Sequence, residues 1–256
     1  MVYSNANNRS LSIIVPVQNE AKTIRPFLDE LYEKCLSKLT DFEVLMLEDG
    51  STDGTVEVLR QCEAIYPHLK ALTEPAKTSY RATVTRGILA ATKEWILLMD
   101  GDGQIDPNDV FLLLEQSVFY DIIAGEKFPR CDPAYRIFVS RVFDIITDLI
   151  LGVNIKDINF GFKLMRASVA KKIAPQCGKL GEIYSAELVM RFVYGGCRLN
   201  QIKVRHRKRS IGASVGIPPR KLFIKSWRAF RGLLALRREL TGDTSPDISS
   251  QANESR

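Results

Sequence analysis

Polar and acidic side chains follow three apolar segments of the chain, each at the point where the segment ends. Asn19 and Glu20 follow the first segment, Glu48 and Asp49 the second, and Asp100 and Asp102 the third. Carboxylates that are brought together repel one another unless a cation joins them, and a hard divalent cation that also binds phosphate oxygens suits them. The two aspartates of the third segment, with Gln104 nearby as a further oxygen ligand, therefore predict a site for a hard divalent cation that bridges phosphate oxygens.

The apolar pattern predicts the elements that position these side chains. Near-continuous apolar runs predict buried strands at 12–17, 43–47, 69–73, 95–99, 120–124 and 199–205. Amphipathic stretches predict helices at 24–35, 54–66, 80–92, 107–117, 136–151 and 219–240. This alternation indicates an α/β fold with a largely parallel central sheet and helices on both faces. Because ligands bind at the carboxyl ends of such strands, we expect the acidic residues to converge there.

Composition places the chain among globular proteins, with 256 residues of which 45% are hydrophobic and 26% charged. Charged residues interrupt its long apolar segment, 137–153, so we expect no membrane-spanning helix. The polar start of the chain lacks the apolar core of a secretory signal, and five cysteines without a Cys-x-x-Cys pair suit reduced thiols. We expect a cytoplasmic protein, with peripheral attachment to the cytoplasmic face of a membrane as an option.

Basic residues are concentrated late in the chain. Residues 198–238 contain thirteen Lys or Arg and no Asp or Glu, although the net charge is only +6. Within this section, the predicted helix 219–240 carries Phe223, Trp227, Phe230 and Leu234 at steps of four, three and four. Such a stripe flanked by Lys and Arg is typical of a helix in an anionic membrane surface, and packing on the rest of the protein is the alternative. Nucleic acid is not expected, because the basic run 205–209 lacks interleaved aromatic residues.

Five segments resemble, in order and spacing, the motifs of family-2 glycosyltransferases with the GT-A fold. They lie at 15–20 (VPVQNE), 48–54 (EDGSTDG), 99–104 (MDGDGQ), 157–166 (DINFGFKLMR) and 209–214 (RSIGAS). Within that family, the pattern is most similar to the polyprenyl-phosphate sugar transferases of the dolichyl-phosphate mannose synthase type. The resemblance implies metal-dependent, inverting transfer of a hexose of the mannose or glucose type from a GDP- or UDP-sugar to a polyprenyl or dolichyl phosphate.

The resemblance also implies roles for individual residues. It assigns Pro16, Asn19, Glu20, Glu48 and Asp49 to the nucleotide pocket, and Asp100, Asp102 and Gln104 to Mg²⁺ or Mn²⁺ on the donor diphosphate, with Asp102 also counted among the catalytic residues. It assigns Arg136, Ser140 and Arg141 to the acceptor phosphate, Lys127 and Lys163 to positions often held by arginine on the acceptor side, and Arg209 to a catalytic position near the phosphates.

The acceptor decides whether a general base is needed. A phosphate oxygen is already anionic at neutral pH, whereas a hydroxyl acceptor must give its proton to a carboxylate. Asp157 and Glu187 are the candidates for that base, and their alternative role is that of ion-paired carboxylates that hold the acceptor-side loops.

Two other functions remain open at this point. One is a family-2 enzyme that acts on a saccharide hydroxyl. The other is an inactive nucleotide-sugar-binding scaffold, suggested by the segment 79–82 (SYRA), which stands where a Gly-rich turn is usual. We divide the chain into a flexible N-terminus (1–10), a catalytic domain (11–218), a basic amphipathic helix (219–240) and a disordered tail (241–256).

Overall fold

The computed structural model describes residues 9–208 and 219–242, without the side chains of residues 182 and 219–226. The strands are β1 (Leu11–Val17), β2 (Phe42–Glu48), β3 (Leu69–Leu72), β4 (Trp95–Leu98), β5 (Ile122–Lys127), β6 (Lys163–Arg166) and β7 (Leu199–Val204). The α-helices are α1 (Ile24–Lys34), α2 (Thr55–Glu63), α3 (Tyr80–Ala90), α4 (Asp109–Gln116), α5 (Ala134–Leu151), α6 (Ala167–Ile173), α7 (Tyr184–Tyr194) and α8 (Pro219–Gly242).

The strands form one sheet in the order β3-β2-β1-β4-β6-β5-β7. β1 pairs in parallel with β2 and β4, β2 with β3, and β5 with β7. Only β6, among the described strands, runs antiparallel to its neighbours, β4 and β5. The predicted α/β fold with a largely parallel sheet is therefore confirmed. The sequence pattern missed β6 and α6, which are only four and seven residues long, and α7, in which every residue from Tyr184 to Phe192 is buried.

Helices cover both faces of the sheet. Along β1, Ile13 and Val15 belong to one hydrophobic cluster and Ile14 to the other, as alternation across a buried strand requires. The cluster that contains Ile13 also holds the buried faces of α1 and α4, whereas that of Ile14 holds those of α3, α6 and α7. This two-sided burial explains why the strands read as continuous apolar runs rather than as alternating ones.

The C-terminal helix α8 packs on the domain. Leu233 and Leu236 are fully buried in the same cluster as Ile14, and Glu239 pairs with Arg191 at 2.8 Å. The buried face differs from the predicted aromatic stripe, of which Trp227 stays 58% exposed.

Some predictions concern residues that the structure does not describe. The side chain of Phe223 lies outside the described residues, as do residues 1–8 and 243–256, so the flexible N-terminus and the disordered tail stay predictions. No helix in the described part of the chain is long and apolar enough to cross a membrane.

Candidate active site

The loops that follow β1 and β2 are tied to each other by side chains. Asn19 adopts a left-handed conformation with φ 54°, donates its backbone N–H to Ser51 Oγ at 2.9 Å and accepts from the Thr52 N–H at 2.9 Å through Oδ1. The backbone N–H of Glu20 donates to Thr55 Oγ1 at 3.0 Å. A non-glycine residue in this region is costly unless its surroundings hold it, so this crossing has a defined shape.

Asp49 lies in the second of these loops, 7% exposed, and its position is fixed from the segment that leads into α3. Its Oδ1 accepts from the backbone N–H of Thr78 at 2.7 Å and from Thr78 Oγ1 at 2.6 Å. Next to it, Glu48 is fully buried and accepts from the Ser51 N–H at 2.5 Å, which shapes the turn. Pro16, half-buried near the end of β1, lies opposite Leu47 in β2.

The segment 79–82, where the sequence departs from the usual Gly-rich turn, starts α3. Ser79 is the N-cap, and its Oγ accepts from the Ala82 N–H at 3.2 Å. An N-cap serine satisfies a backbone donor that the first turn of a helix leaves open. The departure is therefore explained as a helix start, and it leaves the Thr78 contact with Asp49 intact.

Asp100 follows β4 and contacts the backbone of Gly161, which precedes β6. A Cβ added to Gly161 would lie 2.6 Å from Asp100 Oδ1 and 2.7 Å from Oδ2. Only a glycine therefore allows the carboxylate to occupy this place. The contact joins the segments 99–104 and 157–166, and the glycine of the second segment is the sequence signal for it.

Asp102 and Gln104 form a turn that is bound to the strand end after β7. Asp102 Oδ1 accepts from the backbone N–H of Gln104 at 3.1 Å. The Gln104 carbonyl accepts from the Arg207 N–H at 2.7 Å, and Gln104 Nε2 donates to the Arg207 carbonyl at 3.1 Å. Asp102 and Arg207 also line a cleft of about 150 Å³, beside Glu30 of α1.

These residues fit a divalent cation that takes its remaining ligands from a bound substrate. The described part of the chain has no group of three or more His, Cys, Asp or Glu that could hold a metal by itself. Mg²⁺ is commonly held by one or two carboxylates together with substrate phosphates, and two aspartates at a strand end match that donor set. Asp100 and Asp102 would hold such an ion, with Gln104 next to them.

Asp157, a candidate base, is held in an ion-paired network. It adopts φ 50° and its backbone N–H donates to Asp144 Oδ2 at 2.9 Å. Its carboxylate accepts from the Lys127 N–H at 3.1 Å and pairs with Arg130. Burial raises the pKa of Asp144 to about 6, with Asp157 acting in the same direction. Asp157 is 7% exposed. Its contacts are those expected of its alternative role, an ion-paired carboxylate that holds a loop.

Glu187, the other candidate base, is fully buried in α7. Its Oε2 accepts from the backbone N–H groups of Gly178 and Leu180, both at 2.9 Å. Its Oε1 accepts from Arg191 Nε at 3.0 Å. These partners occupy both oxygens, and they are the contacts expected of the alternative, structural role.

Lys163 begins β6 and is fully buried. Its Nζ donates to the Phe160 carbonyl and to Ser185 Oγ, the latter at 2.7 Å. Burial lowers the pKa of Lys163 to about 7, while Asp100 and Asp157 act to raise it. The lysine therefore holds the segment that carries Gly161, next to both carboxylates.

An apolar cavity of about 830 Å³ lies between α5 and α8. Arg136 and Ser140 line it from α5, and Ser140 Oγ lies 3.5 Å from Asp157 Oδ1. Most of the remaining lining is aliphatic or aromatic, and includes Phe138, Phe143, Ile146, Ile183, Phe230 and Leu233. Arg141 is exposed and does not line the cavity, and Lys127 Nζ pairs with Asp132 at 3.0 Å and lies over the Phe160 ring. Sequence reasoning missed this cavity, since its walls come from elements far apart in the chain.

Arg209 and His206 both belong to the late basic section. Arg209 lies outside the described residues, so its role stays a prediction. His206, which forms an isolated β-bridge with Ile105, is 4% exposed. Its Nδ1 accepts from the Cys131 N–H at 3.2 Å, and burial lowers its pKa to about 4.

Comparison with curated proteins finds relatives that transfer sugars to polyprenyl phosphates, according to their names. Dodecaprenyl-phosphate galacturonate synthase of Rhizobium johnstonii is 26% identical over 211 residues, which cover 80% of this chain and 61% of that protein. Undecaprenyl-phosphate 4-deoxy-4-formamido-L-arabinose transferase of Aeromonas hydrophila is 22% identical over 213 residues, or 82% of this chain and 64% of that protein. This chain spans less than two thirds of the length of both relatives.

Solved structures show the same fold. Glucosyl-3-phosphoglycerate synthase from Mycobacterium tuberculosis, in complex with Mn²⁺, uridine diphosphate and phosphoglyceric acid, superposes with a TM-score of 0.68 at 14% identity. The superposition covers 92% of this chain and 81% of that one. A complex of the same enzyme with Mn²⁺ and uridine-diphosphate-glucose gives a TM-score of 0.65 at 17% identity. The described fold is therefore GT-A-like.

The family model that matches this chain is described as Glycosyl transferase family 2 and covers residues 12–174. That range begins in β1 and ends just after α6. It thus includes both donor-side loops, Asp100 and Asp102, the helix α5 and the segment that carries Gly161. The chain belongs to glycosyl transferase family 2.

Proposed function

We propose that this chain transfers a sugar from a GDP- or UDP-sugar to a polyprenyl phosphate, with inversion at the sugar and with Mg²⁺ or Mn²⁺ as cofactor. The observation that carries the proposal is the apolar cavity between α5 and α8, with Arg136 and Ser140 in its wall. A long hydrocarbon chain with a phosphate at one end needs both an apolar channel and a cation. Family membership and the names of the two curated relatives support the same acceptor class.

The state of the two candidate bases supports a phosphate acceptor. Glu187 and Asp157 are both nearly or fully buried, and their oxygens accept hydrogen bonds from backbone N–H groups and basic side chains. A hydroxyl acceptor needs a carboxylate that is free to take its proton. A phosphate oxygen needs only to be held against the repulsion of the donor diphosphate, which suits Arg136.

The donor would bind across the loops after β1, β2 and β4. Asp49, fixed by Thr78, and the loop at Asn19 would contact the nucleoside, while Asp100 and Asp102 would hold the cation on the diphosphate. When bound, that cation would neutralise the charge that builds on the departing diphosphate. Lys163 holds the segment of Gly161 against Asp100, so the carboxylate and the acceptor loop keep one relative position.

The sugar itself stays a prediction. The two relatives are named for a galacturonate and for a 4-deoxy-4-formamido-arabinose, so their names do not match the hexose of mannose or glucose type, or the dolichyl-phosphate mannose synthase activity, that the sequence resemblance implies. An anionic membrane surface as partner and a cytoplasmic location also stay predictions.

The direct test is a transfer assay with purified full-length chain, Mn²⁺, a panel of radiolabelled nucleotide sugars and undecaprenyl phosphate, followed by extraction into organic solvent. Label in the organic phase supports the proposal. Label on an added water-soluble saccharide instead would support a hydroxyl acceptor and contradict it. Donor binding without turnover on either acceptor, unchanged by Asp102→Ala, would indicate a scaffold.

A matched pair of variants locates the acceptor phosphate. Arg136→Ala should raise the acceptor KM roughly ten- to a hundredfold, because a charge-assisted contact to phosphate is lost. Arg60→Ala, an exposed residue of α2, should leave it unchanged and serves as the control. Arg141→Ala distinguishes the two arginines of α5, since Arg141 does not line the cavity, and a smaller effect is expected. Equal effects of Arg136→Ala and Arg60→Ala on the acceptor KM would contradict binding of the acceptor phosphate in the cavity.

A further inference from the structure

One face of α5 exposes a continuous row of large apolar side chains. The row consists of Tyr135, Phe138, Val142, Ile145 and Leu149, whose exposed fractions run from 37% to 79%. Steps of three, four, three and four residues place all five on the same side of a helix. Scattered exposed apolar residues are ordinary, but a contiguous row of this length on a soluble surface marks an interaction site. We call this row the α5 stripe.

The stripe is not the side by which α5 packs on the protein. Thr147 and Leu151 are buried, and Phe143, Ile146 and Ile150 pack against the core from that other side. The helix is therefore apolar toward the domain and apolar toward its surroundings. The inner contacts hold the helix on the domain. The described residues show no contribution of the outward row to folding.

The cavity between α5 and α8 opens at the stripe. Tyr135, Phe138 and Val142 belong to the stripe and also line the cavity, together with Phe230 of α8. Trp227, 58% exposed, stacks on Phe230 with ring centroids 5.9 Å apart. Exposed apolar surface thus continues from α5 across the mouth of the cavity to the aromatic pair of α8.

The charges around this surface are mainly basic. Arg136, Lys179 and Arg228 line the cavity, and Arg141 and Arg231 are exposed on the two helices. The section 198–238, which includes most of α8, has thirteen Lys or Arg and no Asp or Glu. Of the two acidic residues in α5, Asp144 directs its carboxylate to backbone N–H groups of the segment at 157 and 158, and Asp148 lies between stripe positions 145 and 149.

We propose that the α5 stripe, continued by Trp227, is a surface that docks this protein on an anionic lipid bilayer. An apolar row flanked by basic residues matches the acyl boundary and the anionic headgroups of such a membrane. A second copy of the chain would set this basic surface against itself. The surface differs from the predicted stripe of the C-terminal helix, because it is centred on α5 and the part of α8 with described side chains buries Leu233 and Leu236 in the domain while Trp227 stays exposed. Docking of this kind depends on the exposed apolar row and the surrounding charge, and not on sugar transfer.

The test is flotation of the full chain with phosphatidylcholine vesicles, with and without phosphatidylglycerol. Ile145→Glu combined with Leu149→Glu changes two stripe positions that do not line the cavity. We expect the wild type to float with the anionic vesicles, the binding to fall with salt, and the double variant to bind roughly tenfold less or weaker still. Phe119→Glu, equally exposed at 61% in the turn after α4, is the control and should bind like the wild type.

A second readout keeps the test independent of folding defects. Of the two tryptophans, Trp95 is fully buried and Trp227 is exposed. Quenching of tryptophan fluorescence by brominated lipids therefore reports the part of α8 next to the stripe. Circular dichroism verifies that the double variant is folded. Undiminished vesicle binding by the folded double variant would overturn the proposal. So would a wild type that ignores vesicles and forms a dimer which the double variant dissociates.

Discussion

Gly161→Ala tests whether the Asp100 carboxylate can keep its position only because Gly161 has no side chain. A Cβ at Gly161 would stand 2.6 Å and 2.7 Å from the two Asp100 oxygens, and ordinary contact begins at 3.4 Å. The carboxylate must therefore move by about 0.7–0.8 Å. Because the displaced atoms end a flexible side chain, we expect a loss of only about 1 kcal/mol in the free energy of unfolding.

The same shift is large for a metal ligand. Ligand distances in metal sites tolerate about 0.2 Å, and disturbed supporting contacts typically cost roughly 10- to 100-fold in metal affinity. We therefore expect Gly161→Ala to bind Mn²⁺ that much more weakly in the presence of UDP or GDP, by isothermal titration, with a nearly unchanged melting temperature. Asp100→Asn should weaken binding at least as much.

Gly242→Ala is the control, because a Cβ at Gly242 meets nothing within 4 Å. It should leave both Mn²⁺ affinity and melting temperature as in the wild type. The reasoning is refuted if folded Gly161→Ala binds Mn²⁺ as tightly as the wild type, since Asp100 then has no part in a metal site. A loss of several kcal/mol in stability would instead show that the contact serves packing.

Three further predictions concern buried polar groups or a side chain that donates a hydrogen bond to one. Burial lowers the pKa of Lys163 to about 7, below its unfolded value, so the unfolded chain binds the extra proton above pH 7 and stability rises with pH. Lys163→Met should remove a rise of at most about 1.4 kcal/mol per pH unit between pH 7 and 8.5, measured by urea unfolding. Glu187→Gln should cost about 3 kcal/mol of stability, because it breaks the buried pair with Arg191, and lower kcat by less than about tenfold. Thr78→Val removes the hydroxyl that donates to Asp49 and should weaken nucleoside diphosphate binding roughly fivefold, by titration calorimetry.

Each of these has a clear contrary result. A wild-type slope that persists in Lys163→Met would mean that another group titrates between pH 7 and 8.5. A kcat loss of a hundredfold or more in folded Glu187→Gln, at the level of a general base, would restore its catalytic role. Unchanged nucleotide affinity in Thr78→Val would separate Asp49 from the donor site.

The sequence predicts which polar residues follow the ends of β1, β2 and β4, for a physical reason. Parallel strands end at one edge, and the residues that follow β1, β2 and β4 are local in sequence, so position after an apolar run is enough to bring Asn19, Asp49 and Asp100 to that edge. The fold class follows from the same runs, since strands buried on both faces are apolar throughout.

The surroundings of Glu187 and the cavity between α5 and α8 depend on contacts between distant segments. Glu187 is 9 and 7 residues from the backbone groups it binds, but 52 residues from Glu239, which shares its partner Arg191. Spacing alone does not reveal that such a carboxylate is saturated. The cavity likewise needs α8 folded back on α5, and the direction in which an amphipathic helix faces is set by tertiary packing.

The antiparallel course of β6 has a consequence for how the segment between β5 and β6 can vary. Because β5 and β6 are adjacent and opposite, with Ala124 beside Lys163, the chain leaves the sheet and returns to it at nearly the same point. Everything between them, α5 included, is an excursion whose two anchors the sheet holds together. We expect such an excursion to be exchangeable as a cassette between relatives, as long as the contact of Gly161 with Asp100 and the packing of α5 beside α8 are kept.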